Sequence, residues 1–314
     1  MKSVMIGKSC LLSSRLAYGC MRVAGTWNPT EITSERRAAG KKAIVAAFEA
    51  GYTLFDHADI YCRGACESIF GEVVREVPEL KRRALVITKC GIRFPGDPDP
   101  SSPHRYDFSA DHVLRSCELS LKRLNVETID VYQLHRPDLL MNPAEVAGAF
   151  EKLRQQGKAR YFGVSNFSPS FVLALQAALR FDLVVNQVEI HLGRLDCFTD
   201  GTLDQCLEKG MTPLSWSPLA GGWLGSGGQA PAQHPRHDAL VKLLELLDKM
   251  AGALGVTRTV VALAWLLKHP AGIIPIVGSC NRERIREAVR ADSLELSREE
   301  WYELLVAARG QKLP

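Results

Sequence analysis

No stretch of this chain approaches the ~20 uninterrupted apolar residues that a membrane-spanning helix needs. Its start, "MKSVMIGKSCLLSSRL", carries a positive residue but no apolar core long enough for a signal peptide. Blocks of one charge sign are also missing. Acidic and basic residues interleave in "KKAIVAAFEAGY" and "NRERIREAVRADSLELSREE", the formal net charge is only +4, and no basic stripe for nucleic acid results. A disulfide framework is absent too, since nine cysteines, odd in number and irregular in spacing, read as reduced thiols. No linker or break in composition divides the chain. The expectation is one soluble, cytoplasmic domain over residues 1–314 with neither nucleic acid nor membrane as partner.

What is present is an alternation. Short apolar runs recur at 53–58 (TLFDHA), 84–89 (ALVITK), 130–135 (DVYQLH), 160–165 (RYFGVS), 183–190 (LVVNQVEI), 212–217 (TPLSWS) and 273–278 (IIPIVG), and RLAYGCM at 15–21 comes first in order. Near-continuous apolarity suits strands buried on both faces, as in parallel sheets. Helical patterns lie between them. Residues 34–50 have Thr33 or Ser34 as cap and Gly51 as stop; Asn142-Pro143 opens a helix that closes at Gly157, and Ser168-Pro169 opens another. Residues 109–125 place Val113, Leu114, Cys117, Leu121 and Leu124 at helical spacing, and 239–254, 257–268, 281–291 and 297–308 read as helices. Eight strands alternating with helices predict a (β/α)8 barrel, with a doubly wound open sheet as the rival. Long irregular stretches at 91–108 and 220–238 would share one rim of such a barrel.

The strands end in polar groups. Asp56 and Tyr61 follow the second, Lys89 closes the third and His135 the fourth; Ser165, Asn166, Gln187, Glu189, Trp216 and Ser217 follow on later ones. In a barrel these ends meet at one mouth, where active sites are built. A tyrosine titrates near ~10 and is a poor acid at neutral pH. A nearby ammonium favours the phenolate, and a carboxylate keeps that ammonium charged. Such a phenol can protonate a developing alkoxide while a histidine orients the carbonyl. Hydride must come from elsewhere, which implies a cofactor.

"FDHADIY", "ITKCG", "DVYQLHRPD", "GKARYFGVSNF", "NQVEIH", "PLSWSPLAGG" and "IPIVGSCNRERIREAV", in this order from about Leu16 to Arg290, resemble the aldo-keto reductases. The "DHADIY" form is similar to a bacterial branch of general oxidoreductases. The resemblance implies carbonyl reduction by a tetrad of Asp56, Tyr61, Lys89 and His135, with Tyr61 the proton donor, Lys89 depressing its pKa, Asp56 pairing with Lys89 and His135 positioning a small-molecule carbonyl substrate. It also implies NADPH, with NADH as the alternative. The cofactor would be held by Cys20 and Met21 near Asp56, by Ser165, Asn166 and Gln187 at the carboxamide, and by Trp216 stacked on the ring. Ser217, Pro218, Leu219 and Gly221 would line the pyrophosphate path, and Gly278, Ser279, Arg284 and Glu287 the adenosine end. Gly278 stands where the family commonly has Lys, so one cation for a 2′-phosphate is missing, while Arg284 keeps its spacing and Arg282 is near.

Other readings compete. Asp56 and Lys89 could form a structural ion pair beside a buried tyrosine; Lys89 could form a Schiff base in a barrel lyase; and some members of this fold family serve as nucleotide-sensing subunits of membrane channels. Strand alternation turns His57 away from the mouth, and Asp59 reads as a cap or a solvated residue. Cys62 and Cys66 lack a histidine at zinc-ligand spacing. "GWLGSG" at 222–227 lacks the flanking strand and helix of a phosphate loop, and "GKS" at 7–9 lacks the P-loop glycine. Trp216 is open to both a core and a cofactor role, and Trp27 and Trp223 to shaping a pocket or covering the barrel.

Overall fold

Strands apolar on both faces need cover on both, and the computed structural model, which describes residues 1–313, supplies it by closing the sheet on itself. The strands are β1 (Ser3–Met5), β2 (Leu12–Ser14), β3 (Ala17–Gly19), β4 (Leu54–Asp56), β5 (Leu85–Cys90), β6 (Ile92–Arg93), β7 (Arg105–Tyr106), β8 (Ile129–Leu134), β9 (Ala159–Ser165), β10 (Val185–Glu189), β11 (Thr212–Trp216) and β12 (Ile274–Val277). Eight of them, β3, β4, β5, β8, β9, β10, β11 and β12, pair in that order and β12 returns to β3, all parallel. This (β/α)8 barrel has no sheet edge, so the open-sheet alternative is excluded. Every residue of β8 is buried, including the polar Asp130 and Gln133.

Helices α1 (Ser34–Glu49), α2 (Ala65–Glu76), α3 (Pro78–Arg83), α4 (Ala110–Leu124), α5 (Pro143–Gln155), α6 (Pro169–Ala178), α7 (Thr202–Lys209), α8 (His237–Leu254), α9 (Arg258–Leu267), α10 (Arg282–Val289) and α11 (Arg298–Arg309) account for the rest of the regular structure. The caps that mark α1, α5 and α6 in the sequence are made: the side chains of Thr33, Asn142 and Ser168 accept from the N–H groups of Arg36, Ala144 and Phe171. Helices α2, α3 and α7 were not expected. The first and last of these begin after Gly64 and Gly201, both left-handed and without a side-chain cap, so no capping signal announces them. Among the described residues no single helix is long and apolar enough to cross a membrane.

The N-terminal hairpin of β1 and β2 was also unforeseen, and it closes the floor of the barrel. Ile6 and Leu11, both fully buried, pack with Ala17, Leu54, Val185 and Ile274 from the starts of the barrel strands. At the opposite rim, residues 91–108 are not wholly irregular. β6 pairs with β7, and Arg93 bonds Asp97 and Asp107. Residues 220–238 form a short 3-10 turn at Ala220–Gly222 and run irregularly to α8.

One helix contact shapes the rim directly. A Cβ at the buried Gly40 of α1 would lie 2.0 Å from the Val23 carbonyl oxygen, in the loop after β3 that carries Met21 and Arg22. Overpacking of this kind costs about 1–3 kcal/mol. Gly40→Ala is expected to lower Tm by several degrees in a thermal melt; an unchanged Tm would show that the loop yields freely.

Candidate active site

Parallel strands bring their C-terminal ends to one rim, and the polar groups converge there. Asp56 ends β4, Lys89 lies one residue from the end of β5, His135 follows β8, Ser165 ends β9 and Trp216 ends β11. Tyr61 stands on a turn after β4 whose next residues, Cys62 and Arg63, have φ of 46° and 50°, with Gly64 at 88°. Two successive non-glycine residues in the left-handed region are unfavourable and persist only where surrounding packing holds them. The turn reverses the chain into α2 and keeps the Tyr61 ring over the barrel mouth.

At the centre is an ion pair. Lys89 Nζ lies 2.6 Å from Asp56 Oδ1 and donates to the His57 carbonyl oxygen at 2.6 Å, and Lys89 is only 1% exposed. Burial pushes the Asp56 carboxyl up and the Lys89 ammonium down, and contact between the two opposes both shifts. The ammonium is 5.3 Å from the centroid of the Tyr61 ring. That ring meets the His135 ring edge-on at 6.0 Å and Trp27 at 6.3 Å.

The protonation states follow from burial. Desolvation first, and the Asp56 carboxylate second, hold the Tyr61 phenol well above its ordinary value. Net acidification, the sequence-based expectation, is opposed here by burial and the Asp56 carboxylate, which outweigh the lowering effect of the Arg136 charge. Tyr61 therefore carries its proton at neutral pH. Burial, followed by the Lys89 charge, takes His135 well below its usual value, so its imidazole is neutral, and its Nδ1 has no partner.

A second group of bonds ties neighbouring strand ends together. Trp216 Nε1 donates to Asn166 Oδ1 at 2.9 Å, Asn166 Nδ2 donates to Ser165 Oγ at 2.8 Å and to the His135 carbonyl at 3.3 Å, and Ser165 Oγ donates to the Gln187 carbonyl at 2.8 Å. Asn166 reaches this position with φ of 60°. The Trp216 ring and His135 are thus fixed through one side chain.

These groups line a cavity of about 460 Å³. Asp56, Tyr61, Lys89 and His135 face it at the barrel mouth; Met21, Ser165, Asn166, Gln187, Trp216, Ser217, Pro218, Leu219 and Gly221 line it further along, and Gly278, Ser279, Arg284 and Glu287 its far part. Cys20 is the exception and corrects the expectation for it. It is fully buried beneath the rim with its thiol pushed up by desolvation, and Gly19, Met21 and Arg22 line the cavity around it. Trp27 is a lining residue, whereas Trp223 packs on the His191 ring outside the cavity, and Glu189 is engaged by Arg194 at 3.5 Å. Arg22, Ile60, Ile92 and Arg136 line the site and were missed. Arg136 had a signal, being the residue after His135 in "LHRPD".

The cavity lining combines the titratable groups of the mouth with the cations Arg22, Arg136 and Arg284. The buried Gln187 Oε1 has no partner and sits in its wall, as an acceptor for a carboxamide N–H2 would. The residues present fit a nicotinamide nucleotide. His57 does not take part: it is fully buried against Phe70, at 4.6 Å between ring centroids, and desolvation lowers it to about 3.

Asp59 is half-buried and caps no helix with its side chain. Its Oδ1 is sealed without a partner, and burial first and the Glu67 carboxylate second push its carboxyl up to about 8. An unfolded aspartate titrates near ~3.9, so between about pH 4 and 8 the folded state binds the extra proton and stability falls as pH rises. Asp59→Asn removes that loss. The Tm difference between variant and parent should move in the variant's favour by at least about 2 °C from pH 5 to pH 8, on the order of 1 kcal/mol; a difference that is flat with pH contradicts the burial of this carboxyl.

Comparison with known proteins agrees with this geometry. The model of the Aldo/keto reductase family matches residues 15–306. The chain is 40% identical over 315 residues to a 6-dehydroglucose reductase of Novosphingobium aromaticivorans, covering 98% of this chain and 96% of that protein. It is 39% identical over 303 residues to the uncharacterized oxidoreductase YcsN of Bacillus subtilis, covering 96% of each. Among solved structures, a thermostable aldo-keto reductase in complex with the inhibitor epalrestat superposes with a TM-score of 0.82 at 25% identity, over 98% of this chain and 100% of that one. With barrel, mouth and family model in agreement over nearly the whole length, the chain belongs to the aldo/keto reductase family of NAD(P)H-dependent oxidoreductases.

Proposed function

We propose that the protein reduces aldehydes or ketones to alcohols with NADPH and that Tyr61 delivers the proton. The observation that carries this reading is the convergence of a protonated Tyr61 phenol, a neutral His135 and the Lys89–Asp56 pair on one cavity. A dihydronicotinamide, when bound, supplies the hydride that no side chain can.

The side chains do the rest. His135, uncharged, donates its N–H to the carbonyl oxygen and sets its direction. Tyr61 gives its proton to the same oxygen as negative charge develops there. The phenolate left behind faces the Lys89 ammonium, whose charge Asp56 maintains. Trp27 and Ile60 shield the phenol from water. A phenol that keeps its proton at neutral pH favours reduction over oxidation there, because oxidation needs the phenolate as base.

NADPH rests on Arg284, whose side chain lines the far end of the cavity and forms no ion pair or hydrogen bond among the described residues. Arg22 lines the cavity as a further cation. The Schiff-base alternative is disfavoured by the bonds that occupy Lys89 Nζ. The relative named 6-dehydroglucose reductase supports an aldehyde as substrate.

The test is oxidation of NADPH and NADH across a panel of aldehydes and ketones. Tyr61→Phe is expected to lower kcat by about 10²–10⁴-fold, the range for a lost general acid, with NADPH binding retained by fluorescence titration; undiminished kcat refutes the role. Arg284→Leu should raise the KM for NADPH far more than that for NADH, and an equal effect on both would remove the case for the phosphorylated nucleotide.

A further inference from the structure

The tetrad and the nucleotide groove leave one charged group of the cavity without a task. Arg136 follows His135 directly, is half-buried, and lines the cavity with its guanidinium 5.3 Å from the centroid of the Trp216 ring. Among the described residues its side chain makes no hydrogen bond and no ion pair. Carboxylates are near but engaged. Asp138, two residues on, accepts from the backbone N–H groups of Phe108 and Leu140. Glu189 of β10 is held by Arg194 at 3.5 Å and by His191 at 3.4 Å, and Asp56 is taken by Lys89.

A half-buried guanidinium that makes no hydrogen bond or ion pair leaves its donors open to a ligand, although its charge is felt by Glu189. The cation–π contact with Trp216 uses none of its five N–H donors, which lie in one plane and match a two-oxygen acceptor. The other wall of the mouth is apolar, built from Trp27, Ile60 and Ile92. The mouth thus offers a proton donor, an apolar slot and a free planar cation.

We infer that the physiological substrate is a carbonyl compound that also bears an anionic group, a carboxylate or an oxyanion of similar shape, and that Arg136 binds this anion while the apolar wall holds the segment between anion and carbonyl. This rests on the reductase reading above and adds the substrate class. Arg136 acts as a specificity residue: it touches substrate away from the reacting carbon, so its contribution belongs to the choice among carbonyls.

The experiment compares two aldehydes that differ only in charge, 4-carboxybenzaldehyde and methyl 4-formylbenzoate, with saturating NADPH. The parent enzyme should prefer the acid, and Arg136→Met should lower the acid-to-ester ratio of kcat/KM by about 30-fold, the scale of one charge-assisted hydrogen-bonded contact. Arg136→Lys should restore part of that ratio. Calorimetric binding of 4-(hydroxymethyl)benzoate to the enzyme–nucleotide complex should weaken by a similar factor in Arg136→Met. A ratio that is the same in parent and Arg136→Met, with turnover intact, overturns the anion site alone. A parent enzyme that turns over no carbonyl of either kind with either nucleotide overturns the reductase reading as well.

Discussion

The buried ion pair between Lys89 and Asp56 is the constraint around which the mouth is arranged. Taking an ammonium and a carboxylate out of water costs several kcal/mol each, and contact between them offsets this only when geometry is good and the remaining donors are used. Here the contact is 2.6 Å, a second ammonium proton goes to the His57 carbonyl, and β4 and β5 are hydrogen-bonded neighbours in the barrel. Two adjacent strands thus fix the pair, and loss of either partner would leave an uncompensated charge in the barrel.

Everything chemical at the site takes its protonation state from that pair and from burial. The ammonium beside Tyr61 is balanced by Asp56, its partner at 2.6 Å. Burial and Asp56 keep the proton on Tyr61, while burial and Lys89 keep the His135 imidazole uncharged. The left-handed turn at Cys62 and Arg63 and the Asn166 bracket place these groups on the rim.

The barrel was legible in the sequence because its strands are buried on both faces and so write long apolar runs, and because Thr33, Asn142 and Ser168 cap helices with side chains that announce them. Helices α2 and α7 were not, since Gly64 and Gly201 cap them through backbone conformation alone. The floor hairpin escaped notice because each strand is three residues long and its fully buried apolar residues, Ile6 and Leu11, lie in the connection between them. At the site, the tetrad residues were readable as polar ends of apolar runs. Cys20 was misplaced because a position next to the rim does not say which way a side chain turns. Arg136 and Asp59 were missed or misread for a related reason: whether a charged side chain in a loop is paired, solvated or sealed depends on neighbours brought from other strands.

The most direct test of this account is the charge of Lys89 itself. Nitrogen-15 NMR of the side-chain amine, assigned by its loss in Lys89→Met, should show a protonated ammonium at pH 7 in the parent protein, and that charge should be weakened in Asp56→Asn. A neutral amine at pH 7, or an ammonium indifferent to the loss of Asp56, would contradict the claim that this pair sets the state of the site.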